Sequence, residues 1–252
     1  MKAVMLMFDS LRKDLLSAYG NEETITPNFQ RLKEKTVAFE HFYVGSMPCM
    51  PARRELHTGR YNFLHRSWGP LESWENSAVE MMKKHGIYTH LVTDHKHYWR
   101  DGGATYHPRY SSYEFIRGQE GDNWKGVVDK PHVDLKLNEA PLPKKFKSKS
   151  RDQDFVNRSY MTDESMHPLC RTVQAGLEFI DTNHQSDQWY LQIECFDPHE
   201  PFFVPEKYLK MYGLEEGFHG WPSYYYNNQD GRTNALLKGY YKALVSMCDA
   251  YV

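Results

Sequence analysis

Three apolar runs, each cut short by acidic and histidine residues, constrain this chain more than any other feature: "KAVMLMFDS" (2–10), "IYTHLVTDHKH" (87–97) and "QWYLQIECFDPHEPF" (188–202). A short apolar run bounded by polar residues reads as a strand buried in a parallel sheet. Open α/β sheets bind ligands outside the carboxyl ends of their strands, so the three polar endings point to one crevice.

The segments between these runs complete an α/β pattern. "TITPNFQRLKEKT" (24–36) carries a capping Thr26, Pro27 at the first helical position and Phe29/Leu32 on one face, which predicts a helix. "VAFEHFYV" (37–44) after it reads as a second strand, giving a βαβ opening. "SAVEMMKKHG" (77–86) predicts a short helix with lysines in its last turn and Gly86 as its stop. Leu169, Val173, Leu177 and Ile180 form the apolar stripe of another helix. Residues 100–163, rich in Gly, Pro, Lys and aromatic residues, read as an irregular excursion from a mostly parallel sheet with helices on both faces.

Composition narrows the function classes. Hydrophobic residues at 40% and charged residues at 25% are ordinary globular usage, and a net charge of -2 provides no general attraction to nucleic acid or anionic membrane. No run approaches a membrane span, and the apolar N-terminus is broken by Asp9 too early for a secretory signal, so a cytoplasmic location is expected. The four cysteines, Cys49, Cys170, Cys195 and Cys248, lie far apart and read as reduced thiols.

Cys49 stands out in "SMPCMPARRELHTGR" (46–60). Pro51 suits a first helical turn, so Cys49 is placed at a helix N-terminus, where free N–H groups favour anions and an activated nucleophile. Arg53, four residues on, shares its helix face. The bland alternative is that Cys49 merely packs, and that Asp9 merely caps a helix. His167, His184 and His219 have no partner pattern and are expected at the surface.

The pattern C-x-P-x-R followed by T-G, at Cys49, Pro51, Arg53, Thr58 and Gly59, resembles the signature of the type I sulfatases of the alkaline phosphatase superfamily. The resemblance extends through "MFDSLRKDLLSAYG" to "FDPHEPF" and implies a sulfuric ester hydrolase. It implies oxidation of Cys49 to formylglycine by a separate maturation enzyme, with Arg53 stabilising the resulting nucleophile. Asp9 takes the place of a strand-terminal ligand to Ca²⁺ or another divalent cation such as Mg²⁺ or Mn²⁺; Ser10 stands where many members have a second acid, and residue 49 completes this part of the metal set. His199 matches a histidine near the scissile ester oxygen. His95 and His97 as catalytic groups and Lys96 as a substrate-binding group are candidates that spacing does not separate, because "TDHKHYW" replaces the usual pattern.

By the same resemblance, "YYKALVSMCDAYV" is the helix that precedes further metal ligands, so residues 1–252 are expected to be the N-terminal part of a catalytic domain, ending inside that helix. The implied substrate is a small-molecule or saccharide sulfate ester. Two rival readings remain: a phosphonate monoester or phosphodiester hydrolase of the same superfamily, and a catalytically incomplete fragment.

Overall fold

A computed structural model describes residues 1–129, 149–217, 221–222 and 231–252. Four strands, β1 (Lys2–Phe8), β2 (Tyr88–Thr93), β3 (Ser112–Phe115) and β4 (Trp189–Cys195), form one sheet in the order β1-β4-β2-β3. β2 is central and pairs in parallel with both neighbours, with Thr93 opposite Phe115 on one side and Glu194 on the other. The helices are α1 (Pro27–Lys35), α2 (Cys49–Thr58), α3 (Ala78–Lys84), α4 (Lys149–Arg158), α5 (Pro168–Thr182), α6 (Glu206–Lys210) and α7 (Gly231–Ala250). None of the described helices is long and apolar enough to cross a membrane.

The chain divides into two compact units. The first comprises Met1–Met7, Phe39–Arg117 and Arg171–Cys195; the second comprises Phe8–Ala38, Gly118–Cys170 and Phe196–Val252. In the first unit Met50, Leu71, Val79, Leu91, Tyr98, Tyr106 and Tyr110 form the core, with Trp68 and Tyr190 packed against it. α5 lies close to β4 at Gly176, where a Cβ would fall 2.3 Å from the Ile193 side chain. A larger residue there would force the Ile193 side chain or the helix to shift.

Several expectations are corrected. Residues 37–44 form no strand: Val37, Phe42 and Tyr43 are more than 80% exposed, so apolar composition here was not matched by a neighbouring strand to pair with. Among the described residues β1 pairs with β4 alone, and Val4 and Leu6 are exposed, where a strand buried on both faces was expected. The excursion at 100–163 contains β3 and α4, although residues 130–148 of it lie outside the described set. Leu177 of the α5 stripe is exposed.

The second unit shows how a cap can be supplied from far along the chain. Thr26 precedes Pro27 as expected but makes no capping bond to α1; its hydroxyl oxygen accepts the Ser17 N–H at 2.8 Å instead. The exposed N–H groups of α1 go to Asp249 near the end of α7, whose carboxylate accepts from Asn28 at 3.0 Å and Phe29 at 2.7 Å. A carboxylate at this position also complements the positive end of the helix dipole. Burial pushes the Asp249 carboxyl upward, while the two N–H groups pull against that shift. Asp249→Ala should therefore lower the unfolding free energy by about 1–2 kcal/mol, read as a reduced urea midpoint at unchanged m.

Candidate active site

α2 begins at the cysteine. Pro48 has a non-helical conformation, Cys49 is the first helical residue, and Gly59 ends the helix at φ +66° with its N–H on the Glu55 carbonyl at 2.8 Å. That left-handed position explains the T-G of the motif: glycine adopts it without a Cβ penalty, and Thr58 donates its hydroxyl back to the Arg54 carbonyl at 2.8 Å. Cys49 is half-buried beside the apolar core, in no disulfide and not sealed inside.

The motif arginines both turn inward. Arg53 sends Nε and Nη2 to Glu194 Oε1 at 2.9 and 2.7 Å, and Nη1 to the Cys49 carbonyl at 3.3 Å. Glu194 is fully buried; its other oxygen accepts from the Tyr98 hydroxyl at 2.8 Å and the Gln192 amide at 3.2 Å. Four donors thus compensate the desolvation of this carboxylate. Burial, reinforced by Glu194, holds the Tyr98 hydroxyl well above its usual pKa, so it stays a donor. Arg54, on the other side of α2, pairs with buried Glu75 and donates to Asn62 at 3.0 Å.

His95, Lys96 and His97 follow β2 in a single 3₁₀ turn, Lys96–Trp99 with His95 as its cap, and all three are buried. His97 Nδ1 lies 3.3 Å from Cys49 Sγ, and the backbone N–H of His97 donates to His95 Nδ1 at 3.4 Å. Donor atoms of Cys49, His95 and His97 all fall within 4.8 Å of one another. Among the sequence candidates of this unit, the fold therefore gathers both histidines at the sulfur and ties Arg53 to the Cys49 backbone.

The remaining candidates belong to the second unit. Asp9 directly follows β1 and is buried, and Ser10 donates its hydroxyl to Asp9 Oδ1 at 3.0 Å. Ser10 adopts φ +57°, an uncommon backbone for a residue with a side chain. His199 is half-buried; its Nδ1 donates to the Glu200 carbonyl at 2.7 Å, which leaves Nε2 as the acceptor nitrogen. His184 is exposed as expected and His219 lies outside the described residues, but His167 contradicts its expected surface position. It is 2% exposed, accepts the Leu169 N–H on Nδ1 at 3.3 Å and donates Nε2–H to the Phe203 carbonyl at 3.2 Å. Buried Asp197 accepts from Gln119 at 2.7 Å and lies 3.8 Å from His167.

Glu194 and Asp197 were not singled out in the sequence. A signal existed: an acid inside or just past an apolar strand must find donors if it is buried. Its partners, however, come from distant segments, Arg53 for Glu194 and Gln119 for Asp197.

A family model described as Sulfatase matches residues 2–230. The chain belongs to the sulfatase family. It is 25% identical over 230 residues to an arylsulfatase of Clostridium perfringens, covering 84% of this chain and 46% of that protein. Against human iduronate 2-sulfatase the identity is 22% over 237 residues, covering 85% and 38%. The sulfatase chain thus spans less than half the length of these curated relatives. Among solved structures, the phosphonate monoester hydrolase of Agrobacterium radiobacter shares the fold at a TM-score of 0.66 and 16% identity, over 99% of this chain and 57% of that one.

Two measurements test this geometry. Removing one partner of a buried ion pair strands the other, so Arg53→Ala and Glu194→Ala should each cost about 3–5 kcal/mol in denaturant unfolding. The double variant should fall well short of the sum. His167 is held to about 4, against an ordinary 6.5, chiefly by burial. The folded state refuses a proton that the unfolded chain accepts below pH 6.5, so this contribution is complete above 6.5 and is lost as the pH falls toward 4. His167→Asn should lower stability at neutral pH yet decline less steeply across that interval.

Proposed function

We propose that this sulfatase-family chain carries the nucleophile-bearing part of a sulfuric ester hydrolase. The observation that supports the reading most directly is the position of Cys49: half-buried, first in α2, with His97 at 3.3 Å and Arg53 fixed one turn below. A thiol at a partly open helix start is accessible to a maturation enzyme and suits conversion to formylglycine. The hydrated aldehyde supplies a nucleophilic hydroxyl at neutral pH and a second hydroxyl through which the enzyme is regenerated.

Each residue then has an assigned role. Arg53, its charge shared with Glu194, aims its remaining donor Nη1–H at the backbone of residue 49, where it favours negative charge that builds nearby. His97 is in position to take or give a proton at residue 49, and His95 orients it through the His97 N–H. Lys96 is assigned to the sulfate as a cation. Asp9, a buried carboxylate oriented by Ser10, is assigned to a hard divalent cation such as Ca²⁺, with Mg²⁺ or Mn²⁺ as substitutes. Ca²⁺ takes about six to eight oxygens, more than Asp9, Ser10 and residue 49 supply. His199, its Nδ1 held by the Glu200 carbonyl, is assigned to the leaving oxygen, to which Nε2 gives a proton when the imidazole carries one.

The substrate class proposed is a small-molecule or saccharide sulfate ester, consistent with a relative named for iduronate. Hydrolysis of a phosphonate monoester or phosphodiester is the second reading, favoured by two imidazoles clustered at the nucleophile. Peptide mass analysis after co-expression with a maturation enzyme should show the mass loss of thiol-to-aldehyde conversion at Cys49, with Cys170, Cys195 and Cys248 unchanged. Cys49→Ala should reduce kcat on an aryl sulfate by roughly 10⁴-fold or more, as loss of a nucleophile does elsewhere. A higher kcat/KM on an aryl phosphodiester than on the aryl sulfate would reverse the order of the two readings.

A further inference from the structure

Cys49 in its unconverted form presents a donor set of a different character from the oxygen site assigned to Asp9. One sulfur and two imidazoles lie within 4.8 Å of one another, on two elements fixed by the fold: the first residue of α2 and the turn after β2. Both histidines are buried, at 0% and 6% exposure, and Cys49 is half-buried at the edge of the cluster. Rings pack around the set: Trp68 meets His97 edge-on at 5.0 Å, and Tyr98 lies 5.8 Å from His95. The donors are thus held in place, with one side toward solvent.

Sulfur and imidazole suit Zn²⁺ and are poor ligands for Ca²⁺ or Mg²⁺, which select oxygen. Ligands of a tetrahedral Zn²⁺ at bond lengths of about 2.0–2.3 Å sit roughly 3.3–3.8 Å apart, so the set closes onto an ion with side-chain adjustments alone. His97 Nδ1 and Cys49 Sγ already stand at 3.3 Å. The bond from the His97 N–H to His95 Nδ1 is long, at 3.4 Å. Three protein ligands leave a fourth position for water. The positive end of the α2 dipole favours the charge of a sulfur ligand.

From this arrangement we infer that the unconverted chain binds one Zn²⁺ through Cys49, His95 and His97. Binding exchanges the thiol proton for the metal: Cys49–SH and Zn²⁺ give a Cys49 thiolate–Zn²⁺ bond and a proton released to solvent. The ion occupies the sulfur that maturation would consume, so zinc loading and aldehyde formation exclude each other. The inference concerns the thiol form and does not depend on the chain being a sulfate hydrolase.

The test uses the full chain from a host without a maturation enzyme, its thiol verified by the mass of the Cys49 peptide. Titration with Co²⁺ should develop a thiolate-to-cobalt charge-transfer band that saturates at one ion per chain and is erased by Zn²⁺. Cys49→Ser should abolish the band. His95→Ala and His97→Ala should weaken Co²⁺ binding by more than the roughly 10–100-fold that loss of an outer hydrogen-bond partner costs. In the unaltered chain, Zn²⁺ should slow alkylation of Cys49 by iodoacetamide at least tenfold and leave Cys170, Cys195 and Cys248 unaffected, a readout immune to misfolding of a variant. Absence of the band, its persistence in Cys49→Ser, or equal alkylation of Cys49 with and without Zn²⁺ would each overturn the proposal. Failure of aldehyde formation after co-expression overturns the hydrolase reading alone and leaves these outcomes unchanged.

Discussion

The buried pair between Arg53 and Glu194 is the constraint on which the geometry around Cys49 depends. A ten-residue helix with prolines at its entry is too short to hold itself rigid by propensity. Here its arginine reaches β4 with two N–H groups and touches the Cys49 carbonyl with a third. Because Glu194 stands opposite Thr93 in the β2–β4 register, the same pair fixes α2 relative to the turn that carries His95 and His97. The energetic return of such a pair is small, since desolvation offsets most of the Coulomb attraction. Its value is positional, and four donors to one carboxylate leave it a single satisfied arrangement.

The second unit applies the same logic with different partners. Asp249 answers the N–H groups at the start of α1, and Asp197 receives the Gln119 amide beside His167. In each case a buried acid collects donors from a segment remote in sequence, and that collection ties an element end in place. His167 shows the complementary case: a neutral imidazole with both nitrogens engaged, accepting from Leu169 and donating to Phe203, so protonation would break a satisfied bond.

What was legible in the sequence was local. β2, β4, α1, α3 and α5 follow from apolar runs, proline at a first helical position and Gly86 as a stop. The start of α2 at Cys49 and its end before Gly59 also follow from single residues with strong backbone preferences. The failures share a cause. Whether "VAFEHFYV" forms a strand depends on a neighbour to pair with, and its composition carries no information about that neighbour. Glu194 was hidden because its meaning lies in Arg53, 141 residues away. Histidine burial misled at His167 for the same reason: its two partners are backbone groups.

Residue 49 decides which class of metal its surroundings can hold. As a thiol it joins two imidazoles in a sulfur–nitrogen set, suited to a borderline ion. As a hydrated aldehyde, in the function proposed, it presents only oxygen, the donor that a hard cation selects. A single change of atom at one helix start therefore moves the residue from one coordination chemistry to the other. The backbone that positions it does not need to move, because Arg53 grips the Cys49 carbonyl, which the conversion leaves untouched.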